Sequence, residues 1–194
     1  MNKFLVLVAN GNETIEVFTV VDYLRRIGVE LDIASTEESK ELMTSQDISF
    51  KADIHFSDIK EEDYMGVYIP GGTKGAYAMR DNEKVLDLLR SFNDAGKIIG
   101  AICAGPVVLN KAGILSDKKA TSFPDMKDEM DNTYEYIDDQ IVVTDGNITT
   151  GRGAAVTNYL ALRLAHIIGG DEAVAKLKHG TQHEAVEEYF GFEF

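Results

Sequence analysis

Residues 97–109 read Lys97-Ile98-Ile99-Gly100-Ala101-Ile102-Cys103-Ala104-Gly105-Pro106-Val107-Val108-Leu109. A short apolar run bounded by glycines is typical of a buried strand. Gly105 followed by Pro106 favours a tight turn and then the first position of a helix. This stretch therefore predicts a buried strand that turns sharply into a helix, and the only cysteine of the chain lies at the turn.

The position of Cys103 suits a nucleophile. At a helix N-terminus, unpaired backbone N–H groups and the positive end of the macrodipole favour a thiolate, which predicts a thiol pKa below the free value of about 8.5. The geometry is similar to the nucleophile elbow of α/β-hydrolases, although the letters differ. The alternative is a small buried hydrophobic side chain, the commonest role of a free cysteine. Small neighbouring residues favour the nucleophile, because they leave room above the sulfur.

Length and charge limit the classes of protein to consider. The chain has 194 residues, which suits a single domain over residues 1–194. Its 33 acidic and 19 basic side chains give a net charge of −14, and such a field repels phosphate backbones and anionic lipids. No stretch approaches the roughly 20 apolar residues of a membrane helix. We therefore expect no nucleic-acid partner and no membrane association.

The cysteine count and the first residues bear on location. A single cysteine excludes an intramolecular disulfide, and this favours a reducing compartment. The apolar run at residues 4–9 is short and is followed by Asn10-Gly11-Asn12-Glu13 rather than by a small-residue cleavage site, so it predicts a strand and not a signal peptide. These features predict a cytoplasmic protein.

Strand-like and helix-like hydrophobic patterns alternate along the chain. Strands are predicted at residues 4–9, 29–35, 67–72, 97–102, 119–123 and 140–150, the last as a hairpin around Asp145-Gly146. Beyond the helix after Cys103, helices are predicted at residues 16–26, 82–95, 157–168 and 171–178, while residues 42–56 predict a half-buried strand or a hairpin. Strands that alternate with crossover helices predict an α/β fold, with a mostly parallel sheet covered by helices on both faces.

Three loops leave the carboxyl ends of predicted strands, at residues 10–15, 71–75 and 103–106. In open α/β sheets, ligands bind outside the carboxyl ends of the strands. The predicted fold therefore brings these three loops, and Cys103 with them, to the ligand-binding edge.

Side chains and backbone groups of these loops could serve a thiolate. Glu16 begins the first helix, and its carboxyl, if burial keeps it protonated, could donate a hydrogen bond to the sulfur. The alternative is an ordinary glutamate that complements the helix dipole. Gly71 and Gly72 let backbone N–H groups approach a ligand, and with the Ala104 N–H they could form an oxyanion hole. The alternative is a simple turn.

Four segments carry a resemblance over nearly the whole chain. They are Ala9-Asn10-Gly11-Asn12-Glu13-Thr14-Ile15-Glu16, Pro70-Gly71-Gly72, Ala101-Ile102-Cys103-Ala104-Gly105-Pro106 and Thr150-Gly151-Arg152-Gly153. Their order and spacing resemble those of the DJ-1/PfpI superfamily, and specifically its DJ-1 (ThiJ-like) branch. The resemblance implies a flavodoxin-like three-layer α/β sandwich.

The resemblance also implies roles for single residues. It implies a reactive elbow cysteine at Cys103, a protonated acid partner at Glu16 and oxyanion donors at Gly72 and Ala104. The residues expected to line the same site are Gly71, Phe123 and Arg152.

Two positions depart from the pattern of relatives. Many relatives carry a histidine just before the proline that follows the elbow helix, whereas this chain has Phe123 before Pro124. The usual base is therefore missing, and efficient acid–base catalysis is not implied. In the protease-like and chaperone-like branches a histidine directly follows the cysteine, whereas this chain has Ala104. This argues against a peptidase.

The four histidines do not form a recognisable site. A class I glutamine amidotransferase also uses an elbow cysteine, but with a late His-x-Glu, and His183-Glu184 has the wrong spacing. No cluster has the spacing of metal ligands, and no GxGxxG motif follows a strand. We therefore expect neither a metal nor a cofactor.

The resemblance leaves three functions open. The first is glyoxalase III-like or deglycase-like chemistry of modest rate, in which the thiolate adds to a 2-oxoaldehyde such as methylglyoxal or acts on glycated groups. The second is an oxidative-stress sensor based on oxidation of Cys103. The third is a chaperone-like holdase with little turnover.

Assembly is a further expectation. The resemblance implies a homodimer, and we expect the first helix and its neighbouring strands near the two-fold axis. The last six positions contain four aromatic residues, Tyr189, Phe190, Phe192 and Phe194. An exposed apolar cluster of this size usually marks a contact surface. The tail either contacts a second subunit or folds back over its own domain.

Overall fold

The computed structural model describes residues 3–194, in which strands and helices alternate. The strands are β1 (Lys3–Val8), β2 (Leu31–Ser35), β3 (Glu41–Met43), β4 (Ser49–Lys51), β5 (Ile54–His55), β6 (Tyr64–Ile69), β7 (Ile98–Ile102), β8 (Lys119–Ala120), β9 (Glu135–Tyr136), β10 (Val142–Asp145) and β11 (Ile148–Gly151). The α-helices are α1 (Thr14–Arg26), α2 (Thr73–Arg80), α3 (Glu83–Asp94), α4 (Gly105–Ala112), α5 (Thr157–Thr181) and α6 (His183–Phe190).

Seven strands form the central sheet, in the order β10-β11-β7-β6-β1-β2-β5. Every neighbouring pair is parallel except β10 and β11, the predicted hairpin, in which Asp145 pairs with Ile148. Strand β3 pairs with β4, and β8 with β9, in two small separate sheets. The carboxyl ends of β1, β6, β7 and β11 therefore meet at one edge of the central sheet.

Two apolar layers hold helices against the two faces of this sheet. Helices α2, α3 and α4 cover one face, with buried side chains that include Met79, Leu89, Phe92 and Val108. Helices α1 and α5 cover the other, with Val17, Val20, Leu24, Leu160 and Leu164. The helical period of apolar residues in each segment faces the sheet, as an amphipathic surface helix requires. The predicted three-layer α/β architecture is confirmed.

Residues 42–56 contain both structures that their alternation predicts. Strands β3 and β4 form a hairpin in which Leu42 pairs with Phe50. Strand β5 then joins the edge of the central sheet beside β2. On the hairpin, Phe50 packs edge-to-face on Phe18 of α1, with 5.2 Å between ring centroids. The hairpin is thereby held over the first helix.

Three helical features differ from the sequence prediction. Helix α2 was not predicted, because Gly75 and mixed polar residues hide its apolar face, formed by Ala76 and Met79. Helix α6 was also missed. The segments predicted at residues 157–168 and 171–178 form α5, which kinks where Gly170 takes a φ of 66°. The strand predicted at residues 119–123 is observed only over β8 (Lys119–Ala120), which pairs with β9 outside the central sheet.

The aromatic tail folds back on its own chain in part. The rings of Phe192 and Phe194 pack on Tyr159 of α5, at 6.1 and 4.7 Å between centroids. Tyr189 and Phe190 stay largely exposed. Across residues 3–194, none of the helices is both long enough and apolar enough to cross a membrane.

Candidate active site

Cys103 occupies a strained turn between β7 and α4. Its φ of 61° lies in the left-handed region, which costs a non-glycine residue roughly 1–2 kcal/mol. Two backbone hydrogen bonds of 2.9 Å hold the turn: the Cys103 N–H donates to the Gly151 carbonyl, and the Phe123 N–H donates to the Cys103 carbonyl. Backbone strain of this kind concentrates at functional sites. The predicted sharp strand-to-helix turn is therefore present, with the cysteine at its apex.

Two backbone N–H groups lower the pKa of the Cys103 thiol. One belongs to Ala104, which precedes α4, and the other to Gly72, which precedes α2. The first turns of both helices are thus directed at Cys103, so their unpaired N–H groups and dipoles favour negative charge there. The structure brings together, beside Cys103, the two N–H groups named from the sequence as oxyanion donors.

Glu16 lies in the first turn of α1 and is fully buried. Its Oε2 accepts a hydrogen bond of 2.7 Å from the Gly71 N–H, and its backbone carbonyl accepts one of 3.1 Å from the Tyr68 hydroxyl. Its Oε1 is buried and has no hydrogen-bond partner among the described residues. The carboxyl lies beside the Cys103 side chain, close enough for each group to affect the pKa of the other. Glu16 is therefore part of the site and not only a helix-dipole partner.

Gly71 lets these groups come together. A Cβ atom at this position would lie 2.5 Å from Glu16 Oε2, 2.6 Å from the Cys103 Cβ and 2.9 Å from the Ala104 nitrogen. No side chain fits in that space. The glycine thus serves close approach of the backbone, and the neighbouring Gly72 supplies a φ of 82°, a conformation that glycine adopts without a Cβ penalty.

Burial sets the protonation of the pair. It raises the pKa of the Glu16 carboxyl to about 7. Burial also raises the pKa of the Cys103 thiol to about 12, and the charge of an ionised Glu16 adds to this rise, while the N–H groups of Gly72 and Ala104 oppose it. Beside an ionised Glu16, the predicted lowering of the thiol pKa is therefore wrong, because the helix N-terminus does not outweigh burial and like charge.

The two groups titrate as a pair. The pKa of Glu16 is raised to about 7 and that of Cys103 to about 12, and each group contributes to the shift of the other. Between these values the pair holds one proton and one negative charge. In such coupled sites the two steps belong to the pair rather than to either residue.

The two remaining predicted residues lie at the rim. Phe123 is 39% exposed. Its backbone N–H donates to the Cys103 carbonyl, which places it beside the elbow. Arg152 directly follows Gly151, whose carbonyl accepts from the Cys103 N–H. Its guanidinium donates to the Asp138 carbonyl at 2.6 Å.

Sequence reasoning gave no role to Asn12 or Tyr68, both of which are fully buried at the site. Asn12 lies within the segment of residues 9–16 that resembles the family, in a loop after a predicted strand, and this position could have marked it as a site residue. Tyr68 was hidden in an apolar strand. Over residues 3–194, no group of three or more His, Cys, Asp or Glu side chains is arranged to hold a metal ion.

Comparison with known proteins identifies the family. The model of the DJ-1/PfpI family matches residues 2–167. The chain belongs to the DJ-1/PfpI family. This confirms the resemblance read from the four motifs, and the match ends within α5, before α6 and the aromatic tail of this DJ-1/PfpI protein.

Individual relatives agree. The Drosophila melanogaster protein dj-1beta is 38% identical over 176 residues, which cover 91% of this chain and 94% of the relative. The crystal structure of Drosophila melanogaster DJ-1beta superimposes with a TM-score of 0.90 at 37% identity, covering 94% of this chain and 98% of that one. Deglycase PH1704 of Pyrococcus horikoshii is 35% identical over 151 residues, 77% of this chain and 89% of the relative. The flavodoxin-like fold of the DJ-1/PfpI family is thereby confirmed, and the family includes relatives named deglycases.

Proposed function

We propose that this protein is a cofactor-independent enzyme that converts 2-oxoaldehydes such as methylglyoxal through Cys103. The observation that carries the proposal is the convergence of a buried carboxyl, Glu16, and two backbone N–H groups on one strained cysteine. The deglycase name of a relative at 35% identity supports the same class of chemistry.

In the proposed reactive state, the proton resides on Glu16 and the charge on the Cys103 sulfur. A buried carboxylate would leave Oε1 without a partner, and an unpaired buried anion is costly. A protonated carboxyl instead becomes a donor beside the sulfur. The N–H groups of Gly72 and Ala104 stabilise the charge at the same atom. Placing the charge on sulfur therefore satisfies more polar groups than placing it on the carboxyl.

The first step is addition of the thiolate to the aldehyde carbon. A C–S bond forms, the carbonyl π bond breaks, and the oxygen takes the electron pair. Backbone N–H donors stabilise such an oxyanion, and in this site the donors are those of Gly72 and Ala104. Glu16 then gives its proton to the oxygen, which yields a hemithioacetal and leaves a carboxylate.

The second stage moves hydrogen within the adduct. The Glu16 carboxylate removes the proton from the former aldehyde carbon, the electron pair forms a C=C bond, and the neighbouring carbonyl oxygen takes up a proton to give an enediol. The enediol then takes a proton on the neighbouring carbon while the hydroxyl next to sulfur loses its own and becomes a carbonyl, so that a 2-hydroxy thioester results. Water hydrolyses the thioester to a 2-hydroxy acid and regenerates the thiol, so methylglyoxal plus water gives lactate. Phe123 provides no imidazole for these transfers, and general acid–base groups contribute typically about 10²–10⁴-fold. The expected turnover is therefore modest.

The test is conversion of methylglyoxal to lactate by purified protein, with Cys103→Ser as the matched variant. Turnover that needs neither added metal nor coenzyme, survives EDTA and is lost in Cys103→Ser supports the proposal. Equal turnover in Cys103→Ser contradicts it. Absence of turnover, together with ready oxidation of Cys103 by peroxide, would favour the oxidation sensor instead.

A further inference from the structure

The buried amide of Asn12 connects two strand ends beneath the site. Asn12 is fully buried in the loop between β1 and α1. Its Oδ1 accepts a hydrogen bond of 2.6 Å from the Ala9 N–H, and its Nδ2 donates one of 2.7 Å to the Gly71 carbonyl. Ala9 directly follows β1, and Gly71 lies just after β6. One side chain thus fixes the distance between the loop that leads into α1, where Glu16 lies, and the loop that contains Gly72.

The carbonyl that Asn12 holds belongs to the peptide that supplies an oxyanion donor. A peptide unit is planar, and in its trans form the C=O and the following N–H point in opposite directions. The structure contains no cis peptide bond among the described residues. The Gly71 carbonyl accepts from Asn12 Nδ2 and from the Glu13 N–H at 3.1 Å. Fixing this oxygen therefore fixes the direction of the Gly72 N–H. Gly71 itself adjoins the cysteine, since a Cβ atom on it would lie 2.6 Å from the Cys103 Cβ, and the Gly72 N–H lowers the pKa of the Cys103 thiol.

The backbone of α2 packs closely on the Asn12 carboxamide and restricts its orientation. A Cβ atom at Gly75 of α2 would lie 2.5 Å from Asn12 Nδ2 and 2.6 Å from Asn12 Cγ. The helix backbone therefore rests directly on the carboxamide. Hydrogen bonds in a chain also polarise one another, so a donor on the Gly71 carbonyl strengthens the Gly72 N–H as a donor.

We propose that Asn12 is a positioning residue, which aligns the Gly71–Gly72 peptide so that the Gly72 N–H faces the Cys103 sulfur. The hydrogen bonds of its side chain go to the Ala9 N–H and the Gly71 carbonyl, so it acts through the peptide. The inference rests on the proposed nucleophilic role of Cys103. It requires no particular substrate.

The experiment compares Asn12→Ala with Asn110→Ala. Asn110 is a second buried amide, whose Nδ2 donates to the Glu129 carbonyl at 2.9 Å and whose Oδ1 accepts from the Asn132 N–H at 3.0 Å. It lies near the C-terminal end of α4, away from the elbow. Both variants lose a buried amide, so both lose stability. Only Asn12→Ala removes the alignment of the Gly72 N–H.

The readout is the pH dependence of Cys103 alkylation by iodoacetamide. We expect Asn12→Ala to raise the pH midpoint by about one unit, equivalent to a roughly tenfold loss of thiolate at a given pH, and Asn110→Ala to leave the midpoint unchanged. An unchanged midpoint in folded Asn12→Ala, or the same shift in both variants, would overturn the inference. If Asn12→Ala does not fold, Asn12→Ser and Asn110→Ser give the same comparison, because the shorter hydroxyl fills part of the space but stops short of the Gly71 carbonyl.

The outcome is separate from that of the methylglyoxal assay. Alkylation reports the thiolate itself. A wild-type protein without methylglyoxal turnover would contradict the proposed function and leave the Asn12 comparison intact. Turnover in the wild type combined with an unchanged Asn12→Ala midpoint would contradict only the role of Asn12.

Discussion

Glu16 and Cys103 meet in a buried site where the Gly71 N–H fixes Oε2 of the carboxyl at 2.7 Å and burial raises the Glu16 pKa to about 7. The pair therefore changes charge within the physiological range, although an isolated glutamate and an isolated thiol would not titrate there. The function proposed for the protein depends on which of the two groups keeps the proton.

The first prediction concerns the space between these groups. Gly71→Ala places a Cβ atom 2.5 Å from Glu16 Oε2 and 2.6 Å from the Cys103 Cβ, so one of the two side chains must move. Because small displacements of reacting groups can cost about 10²-fold in rate, we expect methylglyoxal turnover to fall by about that factor.

The control for this prediction is Gly180→Ala in α5. A Cβ atom there meets no atom within 4 Å, and alanine is favoured over glycine in a helix interior by about 1 kcal/mol. We expect unchanged turnover and an equal or higher Tm. Full activity in folded Gly71→Ala would show that the close approach is not required.

The second prediction restores the base that the sequence lacks. Phe123 lies at the rim of the site and donates its backbone N–H to the Cys103 carbonyl. Phe123→His should raise turnover of methylglyoxal by about tenfold or more, since general acid–base groups contribute about 10²–10⁴-fold when well placed. Phe123→Leu removes the ring without adding an imidazole and should not raise the rate. A gain in both variants would point to improved access instead of proton transfer.

Features of the fold that depend on neighbouring residues in the sequence could be predicted, whereas features that depend on contacts between distant segments could not. The alternation of apolar strands and amphipathic helices is local, and it predicted the layered fold and the elbow at Cys103. The expectation that Glu16 and Gly72 belong to the site needed the family motifs, because each residue has an ordinary structural explanation by itself. The wrong direction of the thiol pKa beside ionised Glu16 has a three-dimensional cause, since burial by distant segments outweighs the local helix N-terminus.

Helix α2 and Asn12 illustrate the same limit. Helix α2 buries only Gly75, Ala76 and Met79, too short an apolar face to stand out as a period. The amide of Asn12 joins Ala9 to Gly71, and its own bond to the Gly71 carbonyl spans 59 positions of the chain. Such a contact exists only once β1 and β6 are paired.

The third prediction concerns the tail and pH. His183 is buried, with Tyr159 edge-to-face at 5.2 Å, and burial lowers its pKa. Glu187 and Lys178 face it, and they form a buried ion pair of 2.9 Å. Because the folded state binds the proton less well than the unfolded state, stability is lost as the pH falls below about 6.5, the ordinary histidine value. The Tm should therefore fall across this range.

Substitution isolates the group responsible. His183→Phe keeps a ring against Tyr159 but cannot take a proton, so the fall in Tm below the histidine range should shrink. His179→Phe removes an exposed histidine and should leave the fall unchanged. An equal pH dependence in both variants would show that carboxylates, and not His183, are responsible.

The fourth prediction is a homodimer centred on α1 and the β3–β4 hairpin. Ile15, Met43 and Ile48 expose apolar side chains there, and a hydrogen bond of 2.8 Å between the Thr14 and Thr44 hydroxyls joins the two elements. Light scattering after size exclusion should give twice the 21.4 kDa chain mass.

A charge on this surface should separate the subunits. Ile48→Glu is expected to give a monomer, because a stable dimer interface buries about 1,200–2,000 Å² and tolerates an unpaired charge poorly. Ile167→Glu makes the same change on α5 and should remain dimeric. A monomeric wild type at micromolar concentration would contradict the expectation, and dissociation only in Ile167→Glu would move the interface to α5.

The most direct test of the central claim is the pH profile of Cys103 alkylation in the wild type and in Glu16→Gln, with the exposed Glu188→Gln as control. If Glu16 holds the proton and Cys103 the charge, the wild-type midpoint lies below about 8.5, the value of a free thiol. Glu16→Gln then moves it upward, because an amide is a weaker donor to the thiolate than a carboxylic acid, and Glu188→Gln leaves it in place. A midpoint that falls in Glu16→Gln would show that Glu16 carries the negative charge and opposes the thiolate, and this would contradict the account.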